Sequence, residues 1–333
     1  MQVFDPRQSM SSTTFEIFHY RDAKFEGVPV HQHDFYEVYF FIGGNVEYSV
    51  EGKSYLLKEG DLLLINPLEL HQPRIGPDQS TYERIVLWIS KNYLSRLQSN
   101  NTSLTRCFDN TNPNHTNLLR LSPTQQKYIS QKLGELIDES RYSDYGSDLA
   151  AQATLVRFLV ELNRLTLSTD KRDDSSKNIS PLISDVLEYI NSHYCEKISL
   201  ATIADEFFVS KYYLSHAFSD VVGTSVNRYI TLKRLINAKQ MLSSGIKPTT
   251  AAIHCGFNDY AGFYRAFTAE YNITPKEFAS TNSEFGMRNA ELRVWHGGRS
   301  QIAPTVSILL QAATSVKAKT CMQKSLTKGT LER

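Results

Sequence analysis

At 333 residues the chain is long enough for two domains with separate cores, and its 41% hydrophobic and 21% charged content is that of a soluble globular protein. A net charge of +1 neither requires nor excludes a polyanionic partner, while four scattered cysteines without a C-x-x-C pair argue against a disulfide framework or a zinc ribbon and fit a reducing cytoplasm. The N-terminus has no apolar signal core and no apolar run approaches the length of a membrane span, so the expectation is a cytoplasmic protein without a membrane partner.

Residues 15–90 read as β-structure. Short segments rich in Val, Ile, Tyr and Phe are divided by turn signals at Gly43-Gly44, Glu51-Gly52-Lys53, Glu59-Gly60-Asp61 and Asn66-Pro67. "NVEYSVEGKSYLL" predicts a hairpin with Glu51-Gly52-Lys53 at or near its tip, and so many short strands predict a sandwich or a small barrel. In "VHQHDFYEVYFF", residues 30–41, His31, His33, Phe35, Glu37, Tyr39 and Phe41 share parity and therefore one strand face. "KEGDLLLINPLELHQP" then brings His71 onto a later strand.

Three readings of this cluster stay open. Three imidazoles and a carboxylate are sensible ligands for Fe, Mn, Ni, Cu or Zn, giving His31, His33, Glu37 and His71 as a metal set. Polar groups beside aromatic faces also suit a sugar, giving a pocket of His31, His33, Glu37, Tyr39, Phe41, His71 and Trp88, with His19 and Asn66 as further candidates. The third reading is that the histidines are structural.

From Ser122 the pattern turns helical. Ser122-Pro123 is a helix start, followed by Ile129, Leu133, Leu136 and Ile137 at helical spacing through about Arg141. A second helix is expected from about Asp148 to Leu165, apolar at Leu149, Ala153, Val156, Leu159 and Val160, with Leu167 beyond it. The polar stretch "STDKRDDSSKNIS", 168–180, reads as a linker.

Residues 181–278 read as helical throughout. In 199–225, Leu200, Ile203, Ala204 and Phe207 form one apolar face, Ser210 offers an oxygen to cap a second helix, and Leu214, Phe218 and Val221 point inward. Ser210, Lys211, Tyr212, Ser215, His216 and Ser219 remain as candidates to read base edges. The arrangement recurs in 249–278: a short helix, a turn in which Gly256 takes positive φ, Asn258 as N-cap candidate, and a stripe of Phe263, Ala266 and Phe267. There Asn258, Tyr260, Ala261, Tyr264, Arg265 and Thr268 are the outward candidates. Between the units, "SVNRYITLKRLINAKQMLSSG" is a helix of roughly 30 Å that could hold two recognition helices about one turn of B-DNA apart. Residues 180–280 hold nine Lys/Arg and nine Asp/Glu, but across 211–247 Lys211, Arg228, Lys233, Arg234, Lys239 and Lys247 face only Asp220. Lys233 and Arg234 are therefore phosphate-contact candidates. The bland alternative is the solvated face of ordinary helical hairpins.

The pattern A-x-x-x-x-V-S-x-x-Y-L-S-x-x-F, then R-L-x-x-A-x-x-x-L, then G-F-x-D…F-x-R-x-F…Y-x-I-T-P-x-x-F resembles the paired helix-turn-helix domain of the AraC family of transcription regulators. The resemblance covers about 100 residues and implies that helix 210–221 enters one major groove while helix 258–270 enters the next or rests on backbone. His216 stands where relatives commonly carry Arg, and Asp259 and Glu270 sit on the second helix, which points to a weaker second half-contact. H-x-H-x-x-x-E followed by G-D…P-x-x-x-H likewise resembles the two cupin motifs. In regulators of this family such a domain more often lines an effector pocket than binds metal.

The expectation is an α+β multidomain chain: a cupin-like β-barrel at 10–120, a helical segment for dimerisation or interdomain contacts at 121–167, the linker at 168–180, an all-α DNA-binding domain with two helix-turn-helix units at 181–280, and a disordered tail at 281–333 with no assigned function. Its partners would be double-stranded promoter DNA, a carbohydrate-like effector, a second copy and, by resemblance, RNA polymerase; no cofactor is expected and no enzymatic activity. The rival readings are a cupin metalloenzyme with an accessory helical domain, or a DNA-binding regulator indifferent to ligand.

Overall fold

The computed structural model describes residues 9–280 except 24, 26, 68, 77–80, 113–114, 142–143, 169–175 and 178–179. The expected tail, 281–333, and most of the expected linker lie outside the described residues. The chain forms a first compact unit that runs up to Ser180 and, Val221–Gly223 apart, a second from Pro181 onward.

The first unit contains β1 (Phe15–Asp22), β2 (Phe35–Gly43), β3 (Val46–Val50), β4 (Lys53–Leu56), β5 (Leu62–Ile65), β6 (His71–Ile75), β7 (Tyr82–Ser90), β8 (Leu118–Leu119) and β9 (Ser176–Lys177). Antiparallel pairing gives a five-stranded sheet ordered β1-β7-β2-β5-β8 and a four-stranded sheet ordered β6-β3-β4-β9. The short strand β9 lies within the stretch expected to be linker. The β3–β4 hairpin has the predicted tip: Val50 pairs with Lys53, and Glu51 and Gly52 both take positive φ, at 48° and 82°. That is the backbone a two-residue turn needs to match the twist of its strands.

Strand alternation divides the larger sheet between two cores. Tyr39, Phe41, Leu63, Ile65, Val86 and Trp88 face inward with Tyr48, Val50 and Tyr55 of the smaller sheet. Their neighbours Val38, Phe40, Leu62, Leu64, Leu87 and Ile89 face a helical layer. That layer comprises α1 (Lys91–Leu97), a 3₁₀ turn at Arg106–Phe108, α2 (Pro123–Arg141) and α3 (Ser147–Ser168). Ser122 and Gln125 cap α2 reciprocally, and Ile129, Leu133, Leu136 and Ile137 are its buried stripe, as their spacing predicts.

Helix α3 departs from expectation. Its buried stripe is Ala151, Leu155, Phe158, Leu159 and Leu162, whereas Leu149 and Leu167 are exposed. Ala153 is exposed too, and Val156 and Val160 are only partly covered. The helix is apolar on two faces, so periodicity alone could not choose between them. Packing against Leu104, Cys107 and Phe108 makes the choice.

The second unit consists of α4 (Pro181–His193), α5 (Leu200–Glu206), α6 (Lys211–Val222), α7 (Val226–Ser243), α8 (Pro248–His254) and α9 (Tyr260–Tyr271), with a further helical stretch at 275–280. Ser199 and Thr202 form a capping box on α5, Ser210 Oγ accepts the Tyr213 amide on α6, and Ser225 caps α7. On α6 the inward set is Leu214, Phe218 and Val222, one residue later than the expected Val221. Helix α7, 18 residues and about 27 Å long, packs Leu235, Ala238 and Leu242 against Phe263 and Phe267 of α9. Gly256 has φ +83°, as its place in the turn predicts, and a Cβ there would stand 2.6 Å from the Cys195 carbonyl oxygen.

Candidate functional site

The sensing candidates converge inside the first unit. His31 and His71 exchange backbone hydrogen bonds, N to O, at 3.2 and 3.0 Å, so the loop before β2 is stitched to the start of β6. Their rings lie 4.2 Å apart and the His33 and His71 rings 4.8 Å apart. Each imidazole is aimed by a backbone carbonyl: His31 Nδ1 by Pro29, His33 Nδ1 by Phe35 and His71 Nδ1 by Glu69, at 2.8, 2.9 and 2.9 Å. A carbonyl only accepts, so Nδ1 carries the proton in all three rings; Nε2 of His31 and His71 is left to face a ligand, while that of His33 meets Glu37.

Glu37 is the centre of the cluster. Its Oε2 accepts from Trp88 Nε1 at 2.8 Å and lies 3.2 Å from His33 Nε2, while Tyr48 donates to Oε1 at 3.4 Å. Burial opposes its ionisation, but His33 and the charge of His31, with the Trp88 bond, outweigh burial and hold the carboxyl below its ordinary range. Burial drives the His71 imidazole well below its ordinary range, and it takes His31 down to about 4. The neutral His71 keeps a buried Nε2 with no hydrogen-bond partner. His33, Glu37 and His71 place one ligand atom each within 4.8 Å of one another. His31, only half-buried, stands beside them at the edge.

Aromatic rings complete the interior. Phe35 stacks on His33 at 3.9 Å and sits 4.7 Å from Trp88, and Tyr39 lies 4.9 Å from Tyr48. Tyr39 and Phe41 are buried on the same face, as parity predicts. Two of the other candidates fall outside. His19 Nε2 engages Glu83 at a partly exposed surface, because Phe18 and Tyr20 take the inward positions of β1. Asn66 donates its side-chain amide to the Phe108 carbonyl and braces a loop.

Sequence reasoning missed Tyr48, Tyr82 and Arg84. Tyr82 bonds Tyr39 hydroxyl to hydroxyl at 2.5 Å, and Arg84, buried and paired with Asp22, lies 4.0 Å from the Tyr82 ring centre. The signal was present: Tyr82, Arg84, Val86 and Trp88 share parity on β7, so Trp88 implied the other three.

In the second unit α6 presents Lys211, Tyr212 and His216 to solvent, with Ser215 and Ser219 half-buried. Ser210 is exposed, but its hydroxyl is engaged as the helix cap. Tyr212 is 75% exposed, and two residues outside the expected set join the same surface: Tyr213, and Phe208 at 95% exposure and φ 55°. On α9 Tyr260, Ala261, Tyr264 and Arg265 are exposed.

Four expectations need correction here. The cap of α9 is Asp259, whose side chain accepts the Gly262 amide at 2.6 Å; Asn258 precedes the cap. Thr268 Oγ1 is shielded from solvent, because it points into the packed side of α9. Arg234 donates Nε to the Tyr194 carbonyl and Nη2 to the Glu196 carbonyl at 2.7 and 2.8 Å, so its guanidinium braces the loop before α5 instead of projecting toward phosphate. Glu270 pairs with Arg228, which removes it as an open negative charge on α9. Lys233 keeps its ammonium over the Tyr229 ring at 5.6 Å.

Residues 15–159 match the family described as AraC-like ligand binding domain, and residues 203–281 match the family described as helix-turn-helix domain. The chain belongs to the AraC family of transcription regulators. Among its curated relatives, the HTH-type transcriptional activator RhaS of Escherichia coli is 22% identical over 258 residues, covering 77% of this chain and 89% of RhaS. RhaS of Shigella sonnei is 22% identical over 265 residues with the same coverage. Among solved structures, unsaturated fatty acid bound ToxT of Vibrio cholerae is 16% identical, covers 81% of this chain and 96% of its own, and superposes with a TM-score of 0.37. As an AraC-family protein the chain combines a ligand-binding domain with a DNA-binding domain, and it is a transcription regulator. None of its helices, among the described residues, is long and apolar enough to cross a membrane.

Proposed function

We propose that this AraC-family regulator is an activator switched by a polyhydroxyl small molecule, a sugar or sugar derivative, held in the interior of the first unit. The observation that carries the reading is the buried group of His33, Glu37, His71, Tyr48 and Trp88 set among aromatic rings. Glu37 accepts hydrogen bonds from hydroxyls, His71 Nε2 offers a lone pair, and Phe35 and Trp88 supply flat apolar faces for a sugar ring. Relatives that are transcriptional activators support the sign of regulation. Response requires that the effector bind one arrangement of the protein better than another, since equal affinity shifts nothing.

Helices α6 and α9 enter successive major grooves of promoter DNA, with Lys211, Tyr212, Ser215, His216 and Ser219 on the first and Tyr260, Ala261, Tyr264 and Arg265 on the second. Lys233 contributes to phosphate. A second copy pairs through the uncovered face of α3, where Leu149 and Leu167 lie exposed. The decisive experiment is a thermal-shift screen of the full chain against monosaccharides, because a ligand that binds only the folded state raises the midpoint. A midpoint shift present in wild type and absent in Glu37→Gln supports the reading; no shift with any sugar removes it.

A divalent metal is the second reading, and one observation favours it. With Nδ1–H of His33 committed to a carbonyl, its Nε2 meets the Glu37 carboxylate only across a positive charge, a proton or a metal ion. The residues fit a metal: His33, Glu37 and His71 would hold it, and it would present a Lewis-acidic position to the effector's oxygens. Metal content of protein purified without affinity nickel, together with the thermal shift caused by zinc, manganese or cobalt before and after chelation, decides between the two.

A further inference from the structure

We infer that His216 is the residue of α6 that selects a base, and that it does so as a hydrogen-bond acceptor, reading the exocyclic amino group of adenine or cytosine. The inference rests on the reading that α6 lies in a major groove. Direct readout there uses Arg or Lys for guanine, Asn or Gln for adenine and a carboxylate for cytosine, from the N-terminal part of the recognition helix. Helix α6, KYYLSHAFSDVV, has no Arg, Asn or Gln, its one carboxylate, Asp220, stands near its C-terminal end, and His216 is its one imidazole. Lys211 is a mobile point charge, Ser215 and Ser219 are short and half-buried, and a tyrosine hydroxyl serves either as donor or as acceptor.

Two contacts give the exposed His216 ring a fixed aim. Its Nδ1 lies 2.9 Å from the Tyr212 carbonyl oxygen, one helical turn back, and its ring packs on the Tyr212 ring with centroids 4.1 Å apart. A carbonyl oxygen cannot donate, so the Nδ1 position carries the hydrogen. The neutral ring is thereby held in the tautomer whose Nε2 has a lone pair, and the carbonyl engages only the Nδ1 side of the exposed ring. An acceptor finds a partner in adenine N6–H₂ or cytosine N4–H₂. It meets only acceptors on the guanine edge, N7 and O6, and an acceptor and a methyl group on thymine. An arginine at this place would have the opposite preference and take guanine. His216 therefore makes the base preference of this helix differ in kind, not only in strength, from that of an arginine-bearing one.

The test is selection of binding sites from a randomised duplex library by the full-length protein and by His216→Phe, His216→Arg and Ser215→Asn. The wild type is expected to show one base-pair position, facing α6, with an adenine or cytosine preference of about three- to tenfold, the discrimination a single hydrogen bond supplies. His216→Phe, which keeps the ring on Tyr212, should flatten that position alone, and His216→Arg should convert it to guanine. A wild-type preference for guanine or thymine there overturns the inference, as do identical profiles for wild type and both His216 variants. In the latter case Ser215→Asn separates the causes. A changed profile means that α6 reads DNA without His216, and an unchanged one means that α6 does not lie in the groove.

Discussion

Trp88 and Glu37 face one another across the β2–β7 ladder as register partners, and the indole N–H donates to the carboxylate at 2.8 Å. A side chain on one strand thus fixes the rotamer of the central acceptor on its neighbour. Replacing Glu37 with Gln or His33 with Ala should weaken ligand response at least about tenfold while DNA affinity stays within twofold. Trp88→Phe should give a smaller loss, together with a destabilisation of about 1–3 kcal/mol from the underbonded carboxylate. Ligand titration and operator binding on the same preparations check both; normal response in the Glu37 and His33 variants would place the pocket elsewhere.

Lys233 and Arg234 are sequence neighbours with different work. Arg234→Ala should lower the stability of the second unit by about 1–3 kcal/mol, through two carbonyls left without a donor, and leave the salt dependence of DNA binding almost unaltered. Lys233→Ala should cost less than about 0.5 kcal/mol in stability and reduce the salt slope by about one. Denaturant melts and affinity at several salt concentrations separate the two; an equal effect on the slope from both variants contradicts the assignment.

Gly256 turns the chain between α8 and α9 at a φ that disfavours a side chain, directly against the Cys195 backbone. Gly256→Ala should therefore destabilise by more than about 1 kcal/mol, since left-handed backbone and a backbone clash add. Gly245, also at positive φ but with open space around its Cβ position, provides the comparison: Gly245→Ala should show the conformational cost alone.

Burial pushes the Cys107 and Cys255 thiols up to about 12. Both acids have folded values above the ordinary 9.0, so the native state holds its protons where the unfolded chain releases them. Their contribution to stability is complete below pH 9 and declines as pH rises toward 12. At pH 8 these two sulfurs should resist alkylation in the folded protein and react once it is denatured; peptide mapping after a timed pulse shows which occurs.

If α3 carries the dimer contact, Leu149→Glu should shift the protein toward monomer in sedimentation without lowering the melting point of the first unit, because Leu149 is 67% exposed. A monomeric wild type, or an unchanged dimer in the variant, excludes this face.

Much of this was legible from residue patterns. Parity on β2 brought Glu37, Tyr39 and Phe41 together, because alternation is a property of any extended chain; His31 and His33 were expected on the same strand but precede it, and reach the cluster through the His31–His71 bridge and the His33–Glu37 contact. The motif in the second unit gave its helices to within a residue or two. What periodicity could not decide was α3, where two apolar faces compete and only the partner selects. The roles of Arg234 and Glu270 were hidden for a related reason: a charge in a sequence does not reveal whether a carbonyl or an ion pair 38 to 42 residues away already holds it. Arg84 was missed because a cation is not expected in the core between two sheets, yet Asp22 and three aromatic rings accommodate it there.

Strand β2 carries Glu37 on one face and Val38 and Phe40, seated among the helices α1–α3, on the other. The pocket wall and the helix seat are therefore one strand thick. On the proposed reading, an effector that draws Glu37 inward would also load Val38 and the buried cluster it shares with Leu155 and Phe158, since a packed core resists local compression. The strand that would grip the ligand is also the floor on which α2 and α3 stand.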